Sequence, residues 1–169
     1  MGKFKLWDGM FKQMFLPEEW GAAIERPCRE MDCTELPLTH VKFGYDDIMT
    51  RYKTTVTAEA LRLCQRDHMG EGYDNIKYNF AVNQEGIIYE CRGWFTEPVL
   101  PLKYVPLRYK IIDICFIGDF SEKDPPWPMM DSALHIIMKG LRSKFINTNY
   151  RLIGLRDPPE GPVSFIDES

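Results

Sequence analysis

Residues 76 to 120 constrain the fold of this chain more than any other stretch. Tyr78 to Asn83 and Ile87 to Cys91 are short apolar runs separated by Gln84-Glu85-Gly86. That pattern predicts two β-strands of a half-buried sheet joined by a tight turn. The second run passes directly into Arg92-Gly93-Trp94, placing a cation and an aromatic at a sheet end, where ligand-binding groups are often carried. After a Pro-rich loop, Ile111 to Ile117 supplies a further strand.

Helical periods occupy the intervals. Thr55 to Met69 sets Val56, Ala60, Leu63 and Cys64 on one side and is closed by Gly70 and Gly72. Met130 to Phe145 repeats Leu134, Ile137, Met138, Leu141 and Phe145 at helical spacing, after Pro126 and Pro128. With strands at Thr39 to Tyr45 and Leu152 to Gly154, the expected fold is α/β, a single domain with a central mixed β-sheet flanked by about three α-helices. A chain of 169 residues, 44% hydrophobic, can bury a core without help from disulfides or metal. A net charge of −4 gives no electrostatic reason to expect nucleic acid. No apolar run reaches the length of about 18 residues that spans a bilayer, and the first residues lack a signal-peptide core.

The first sixteen residues have a pattern of their own, so the expected organisation is an amphipathic segment over 1–16 followed by the domain proper over 17–169. Trp7, Met10, Phe11, Met14 and Phe15 follow helical spacing, with Lys3, Lys5 and Lys12 against a single Asp8. A short helix interrupted by Gly9 must bury its apolar face against the domain, a partner protein or an anionic membrane surface.

His40, His68 and His135 show no paired metal spacing and are expected as ordinary surface or hydrogen-bonded core histidines. The five cysteines lack zinc-ribbon spacing. Cys91 and Cys115 lie in strand patterns and are expected as buried thiols. Cys28 and Cys33 are the plausible disulfide partners, through a small loop. A reduced cytoplasmic setting and an exported one both stay open.

Several segments, in chain order, carry a resemblance: EEWGA (18–22), LPL (36–38), HM (68–69), KYNF (77–80), YECRGW (89–94), FIGDF (116–120) and YRLIGLRD (150–157). Together they resemble the peptidoglycan recognition protein (PGRP) family, whose domain shares the zinc amidase fold of phage lysozyme-type enzymes. Each segment is weak alone, but the ordered series spans most of the chain. The resemblance implies zinc ligands, in family amidases, at a His after the LP element, a His in a GHRD motif and a Cys in a CPG motif. Here those places hold Gly44, Leu155 and a Pro-Glu-Gly-Pro stretch around Glu160 without a thiol. Glycine and leucine offer no side-chain donor, and a catalytic zinc uses three protein ligands and a water. The tyrosine that assists hydrolysis is retained as Tyr78, yet without metal no water is brought to a neutral pKa. The chain is therefore expected not to be an enzyme and to need no cofactor. Family domains often carry a disulfide between the loop after the first strand and the next helix; Thr57 stands where its second Cys would fall.

The resemblance also implies a groove edged by Tyr45, Tyr78, Arg92, Trp94 and Arg156, with aromatic faces for a muropeptide and a guanidinium for its carboxylate. The alternative for Arg92 and Trp94 is that they serve the fold. The loop from Thr96 to Lys110 is apolar and stiffened by three prolines. It is expected to fold into the vacated zinc pocket over Leu155. Trp7, Met10, Phe11, Phe15, Leu100 and Leu102 are the candidate partner-binding residues.

Two functions follow as expectations. One is a non-catalytic peptidoglycan receptor or regulator of innate immune signalling, extracellular or in the ectodomain of a membrane receptor, whose partners are a bacterial muropeptide and another PGRP or signalling protein. The other has its groove closed and acts through protein contacts alone. An amidase with an altered metal site is a remote third.

Overall fold

The computed structural model describes residues 3–7, 10–23, 34–156 and 166–167, with backbone alone for 3–7, 10–11 and 166–167. Strands β1 (Lys3–Trp7) and β2 (Met10–Phe15) form an antiparallel hairpin, and α1 (Pro17–Trp20) follows. Next come β3 (Leu38–Asp46), the short α2 (Ile48–Arg51) and α3 (Thr57–Gly70). The hairpin β4 (Phe80–Val82) and β5 (Ile88–Glu90) leads through a 3-10 turn at Leu102–Leu107 to β6 (Ile111–Ile117). Helix α4 (Trp127–Arg142), β7 (Ile146–Ile153) and β8 (Ile166–Asp167) complete the described chain.

These strands make one mixed sheet in the order β1-β2-β5-β4-β6-β3-β7-β8. At its centre β6, β3, β4 and β7 are joined by parallel pairings. The expected mixed sheet is present, and it is wider at both ends. β6 is buried along its whole length, on both faces. Central parallel strands covered by helices on both sides read as continuous apolar runs.

Helix α4 covers one face. Met129, Ala133, Ile136 and Ile137 pack with Val41, Phe43, Ile112, Ile114 and Phe116. The sequence stripe through Leu134 and Met138 instead points outward, and those side chains are exposed. The buried stripe runs through Gly140, where an added Cβ would stand 2.4 Å from Ile146 Cδ1 and 2.7 Å from Trp94 Cη2. The helix also stops at Arg142, short of Phe145. On the other face α3 buries Ala60, Leu61 and Cys64 against Ala81, Cys115 and Ile117, while Val56 is exposed. Trp20 closes this side, its Nε1–H donating to the Glu90 carbonyl at 2.8 Å.

The amphipathic helix expected over the first sixteen residues is replaced by the β1–β2 hairpin. The alternation Lys3-Phe4-Lys5-Leu6 has the strand period, and the two residues between the paired Trp7 and Met10 are Asp8-Gly9, a dipeptide favoured in two-residue hairpin loops. β2 pairs in parallel with β5, Phe15 stacks on Tyr89 at 5.1 Å between ring centroids, and Lys12 forms an ion pair with Asp131 of α4. The segment thus joins the central sheet. Among the described residues no helix is long and apolar enough to cross a membrane.

Candidate functional site

The parallel strands β3, β6 and β7 end at one rim, the place where ligands settle in open α/β sheets. A pocket of about 290 Å³ opens there. Its floor comes from the face of β3 and β6 that carries Lys42, Gly44, Asp113 and Cys115, and its walls from Tyr45, Tyr78, Leu155 and the 3-10 turn at Pro101, Lys103 and Tyr104. Lys42 is paired across the strands with Asp113, and Gly44 with Cys115.

Strand alternation sends Lys42 and Gly44 to the same side, and the missing side chain at 44 decides what lies there. A Cβ at Gly44 would be 3.0 Å from Lys42 Nζ and 3.4 Å from Asp113 Oδ1. The lysine therefore lies across the glycine. Lys42 Nζ is 3.5 Å from Asp113 Oδ1 and 5.9 Å from the centroid of the Tyr104 ring. Burial pushes the Asp113 carboxyl above the usual carboxylate range, opposed by the charge of Lys42.

Tyr78 stands at the inner wall. Its hydroxyl donates to Asp46 Oδ2 at 3.1 Å and lies 3.2 Å from Cys64 Sγ, and burial raises its pKa well above the ordinary phenol value. Asp46 also holds Arg51, at 2.8 Å between Oδ1 and Nη1 and 3.0 Å between Oδ2 and Nη2. Behind the tyrosine, His68 Nε2 lies 3.5 Å from Cys64 Sγ, and His68 Nδ1 accepts the Lys77 backbone N–H at 3.1 Å. Desolvation lifts the Cys64 thiol to about 11 and lowers the His68 pKa, with Lys77 adding to the latter.

Asp46, Cys64 and His68 bring ligand-type atoms within 4.8 Å of one another. Cys64 and His68 are four apart on α3, a spacing that puts both on one helix face. Their existing bonds oppose a metal. Both Asp46 oxygens face a guanidinium, and an Nδ1 that accepts an N–H leaves the proton of a neutral imidazole on Nε2, the nitrogen a metal would need. The trio is a hydrogen-bonded cluster beneath Tyr78.

The positions that the resemblance assigns to zinc fare no better among the described residues. Gly44 and Leu155 both line the pocket, neither side chain carries a donor atom, and the Lys42 ammonium fills the space over Gly44. A resident cation repels a second one, so these residues do not fit zinc. Glu160 lies outside the described residues, as do Cys28 and Cys33.

The structure gathers Tyr45 and Tyr78 at the pocket and separates the other expected ligand residues from it. Arg156 borders a neighbouring apolar hollow of about 460 Å³ formed with Phe43, Met130, Leu152 and Leu155. Its guanidinium is held by the Phe120 and Lys123 carbonyls at 2.8 and 2.9 Å and by Asp124. Arg92, with a side chain 2% exposed, is fully engaged in the framework. It donates to the carbonyls of Ile76 at 2.6 Å, Glu97 at 3.1 Å and Asn75 at 3.3 Å, and to Asp74 at 2.7 Å. Trp94 is buried between Phe80 and Phe145, at 5.1 and 5.5 Å between ring centroids. Both residues hold the loop after β5 to the sheet, which favours the fold role among the two readings the sequence leaves open for them.

The 96–110 loop does not fill the pocket. Leu100 and Leu107 pack on Tyr104, Ile111 and Ile153 beside it, which leaves the pocket open with Lys42, Asp46 and Asp113 in its lining. Leu102 points outward, 88% exposed. Of the other residues expected to meet a partner, Phe15 is spent on Tyr89, and the side chains of Trp7, Met10 and Phe11 lie outside the described residues. Cys91 and Cys115 are free buried thiols, as expected. Lys42 and Asp113 were missed as site residues, although a lone carboxylate inside the run Ile-Ile-Asp-Ile-Cys-Phe-Ile signals a buried charge in need of a partner.

No protein-family model matches the chain. Among curated proteins it is 30% identical over 146 residues to Peptidoglycan-recognition protein LE of Drosophila melanogaster, covering 82% of this chain and 41% of that protein. It is 28% identical over 158 residues to Peptidoglycan-recognition protein LB of Drosophila melanogaster, covering 92% of this chain and 66% of that one. The chain thus spans less than two thirds of the length of these relatives. Among solved structures, it resembles that of tracheal cytotoxin bound to the ectodomain complex of peptidoglycan recognition proteins LCa and LCx, with a TM-score of 0.70 and 29% identity over 83% of this chain and 82% of that one.

Proposed function

We propose, for a chain whose relatives and fold make it a peptidoglycan-recognition-protein domain, a non-catalytic role as receptor or regulator in innate immune signalling. In this reading the pocket at the ends of β3, β6 and β7 receives a bacterial peptidoglycan fragment, with Tyr45 and Tyr78 as its aromatic edges. The setting is extracellular or the ectodomain of a membrane receptor, and the protein partner is a second PGRP or a signalling protein. The LCa–LCx ectodomain complex with its bound cytotoxin supports that pairing of ligand and partner by analogy.

One observation carries the non-catalytic part. An ammonium lies over Gly44, and Leu155 faces the same pocket, where amidases of this fold place metal ligands. Hydrolysis by that route needs a metal-bound water, and these residues do not retain one. The retained tyrosine is committed to Asp46 and Cys64. The open pocket favours ligand binding over the reading in which the groove is closed and only protein contacts remain.

The test is calorimetric titration with a soluble disaccharide-tetrapeptide muropeptide, in chelator-treated buffer and again with added zinc, followed by mass analysis of the ligand. Saturable binding that ignores zinc, with the ligand recovered intact, is expected. Zinc-dependent release of the peptide from the sugar overturns the non-catalytic reading. Absence of binding under both conditions overturns the receptor reading.

A further inference from the structure

We propose that Lys42, laid across Gly44 and steadied by Asp113, is a built-in cation that receives a carboxylate of the peptide part of the ligand. This rests on the reading of the pocket as the ligand site and names the group that would decide what enters it. The Lys42 side chain is 13% exposed and the Asp113 side chain 9%. A cation so withdrawn from water needs close partners. Its described ones are a carboxylate at 3.5 Å, the long limit for a hydrogen bond, and the Tyr104 ring at 5.9 Å. Hydrogen-bonding capacity therefore remains on an ammonium that forms part of the pocket floor.

The surrounding charges favour an anion. Lys103 lines the same pocket, its Nζ 4.9 Å from the Tyr104 centroid, whereas Asp46 is neutralised by Arg51. Burial raises the Asp113 pKa, and the neighbouring Lys42 charge opposes that shift. The pocket volume of about 290 Å³ is at the small end for ligand sites, suiting the end of a peptide better than a disaccharide. Gly44 is what makes the arrangement possible, since a side chain there would compete with the ammonium for the same space.

The experiment compares the wild type, Lys42→Met, Lys42→Arg and the double variant Lys42→Met with Asp113→Asn. Each is titrated with the disaccharide-tetrapeptide muropeptide and with the same compound carrying its peptide carboxylates as amides. Loss of a charge-assisted bond predicts about 10- to 150-fold weaker binding of the acid by Lys42→Met, with substantial recovery in Lys42→Arg. The amidated compound is expected to bind the wild type weakly and to lose nothing further in Lys42→Met. The double variant leaves no unpaired carboxylate in the floor, so it shows the same loss even where the single variant folds poorly. Unchanged affinity for the acid, or an equal loss for both compounds, overturns the proposal while leaving the receptor reading intact. A wild type that binds neither compound overturns both.

Discussion

Arg92→Ala separates a framework role from a ligand-binding role at the residue where the sequence left both open. The substitution removes the guanidinium donors to the carbonyls of Ile76, Asn75 and Glu97 and breaks the pair with Asp74. Because the Arg92 side chain is 2% exposed and that of Asp74 29%, solvent can repair only the Asp74 end. Removing one member of such a buried, hydrogen-bonded pair costs about 3–5 kcal/mol. For a domain of this size that corresponds to a fall in Tm of roughly 6–20 °C. Arg92→Lys keeps the charge but loses the planar fork that reaches several carbonyls at once, so an intermediate loss is expected. Urea unfolding followed by tryptophan fluorescence gives the stability directly, with muropeptide titration of the folded fraction alongside. An Arg92→Ala protein of unchanged midpoint that has lost muropeptide binding would refute the framework reasoning and restore Arg92 to the ligand site.

Three further outcomes are expected. Because burial lowers the folded-state pKa of His68, its contribution to stability is present above the unfolded value of about 6.5 and is lost as pH falls through the folded value. Denaturant midpoints should decline across that acidic window, and the decline should be shallower in His68→Gln; an identical slope in both proteins counts against it. Zinc at about 100 μM should leave Tm within about 1 °C, whereas a site of micromolar affinity would add about 2.7 kcal/mol, roughly 5–11 °C, and such a rise abolished in Cys64→Ser would show that the buried trio binds metal after all. Gly140→Val should lower the unfolding free energy by about 1–3 kcal/mol through overpacking against Ile146 and Trp94; a neutral result would mean that β7 moves aside readily.

The parts of the fold legible in the sequence were those set by local pattern. The two apolar runs around Gln84-Glu85-Gly86 became β4 and β5, and Ile111 to Ile117 became β6 at its expected bounds. The apolar stripe of α4 was rotated because Leu134 and Met138 fit a helical repeat as well as Ala133 and Ile136 do, and only Gly140 against Ile146 and Trp94 selects the buried side. At the N-terminus the spacing of Trp7, Met10, Phe11 and Met14 fitted a helix, and the Asp8-Gly9 signal for a hairpin was overlooked. The site was legible in its outline through Tyr45, Tyr78, Gly44 and Leu155. Its charged floor was hidden, because Lys42 meets Asp113 only through the register between β3 and β6, and the two residues are 71 positions apart in sequence.

The lysine lying across Gly44 also bears on what it would take to build a metal site in this pocket. A histidine introduced at position 44 would place its Cβ 3.0 Å from Lys42 Nζ, so it would first have to push the ammonium off Asp113. That step strands a buried carboxylate and gains nothing until position 155 also supplies a donor. Each change made alone is therefore a loss, and any single substitution toward a metal site is blocked by its neighbours. The glycine and the lysine form an epistatic lock, in which the order of substitutions matters as much as their identity.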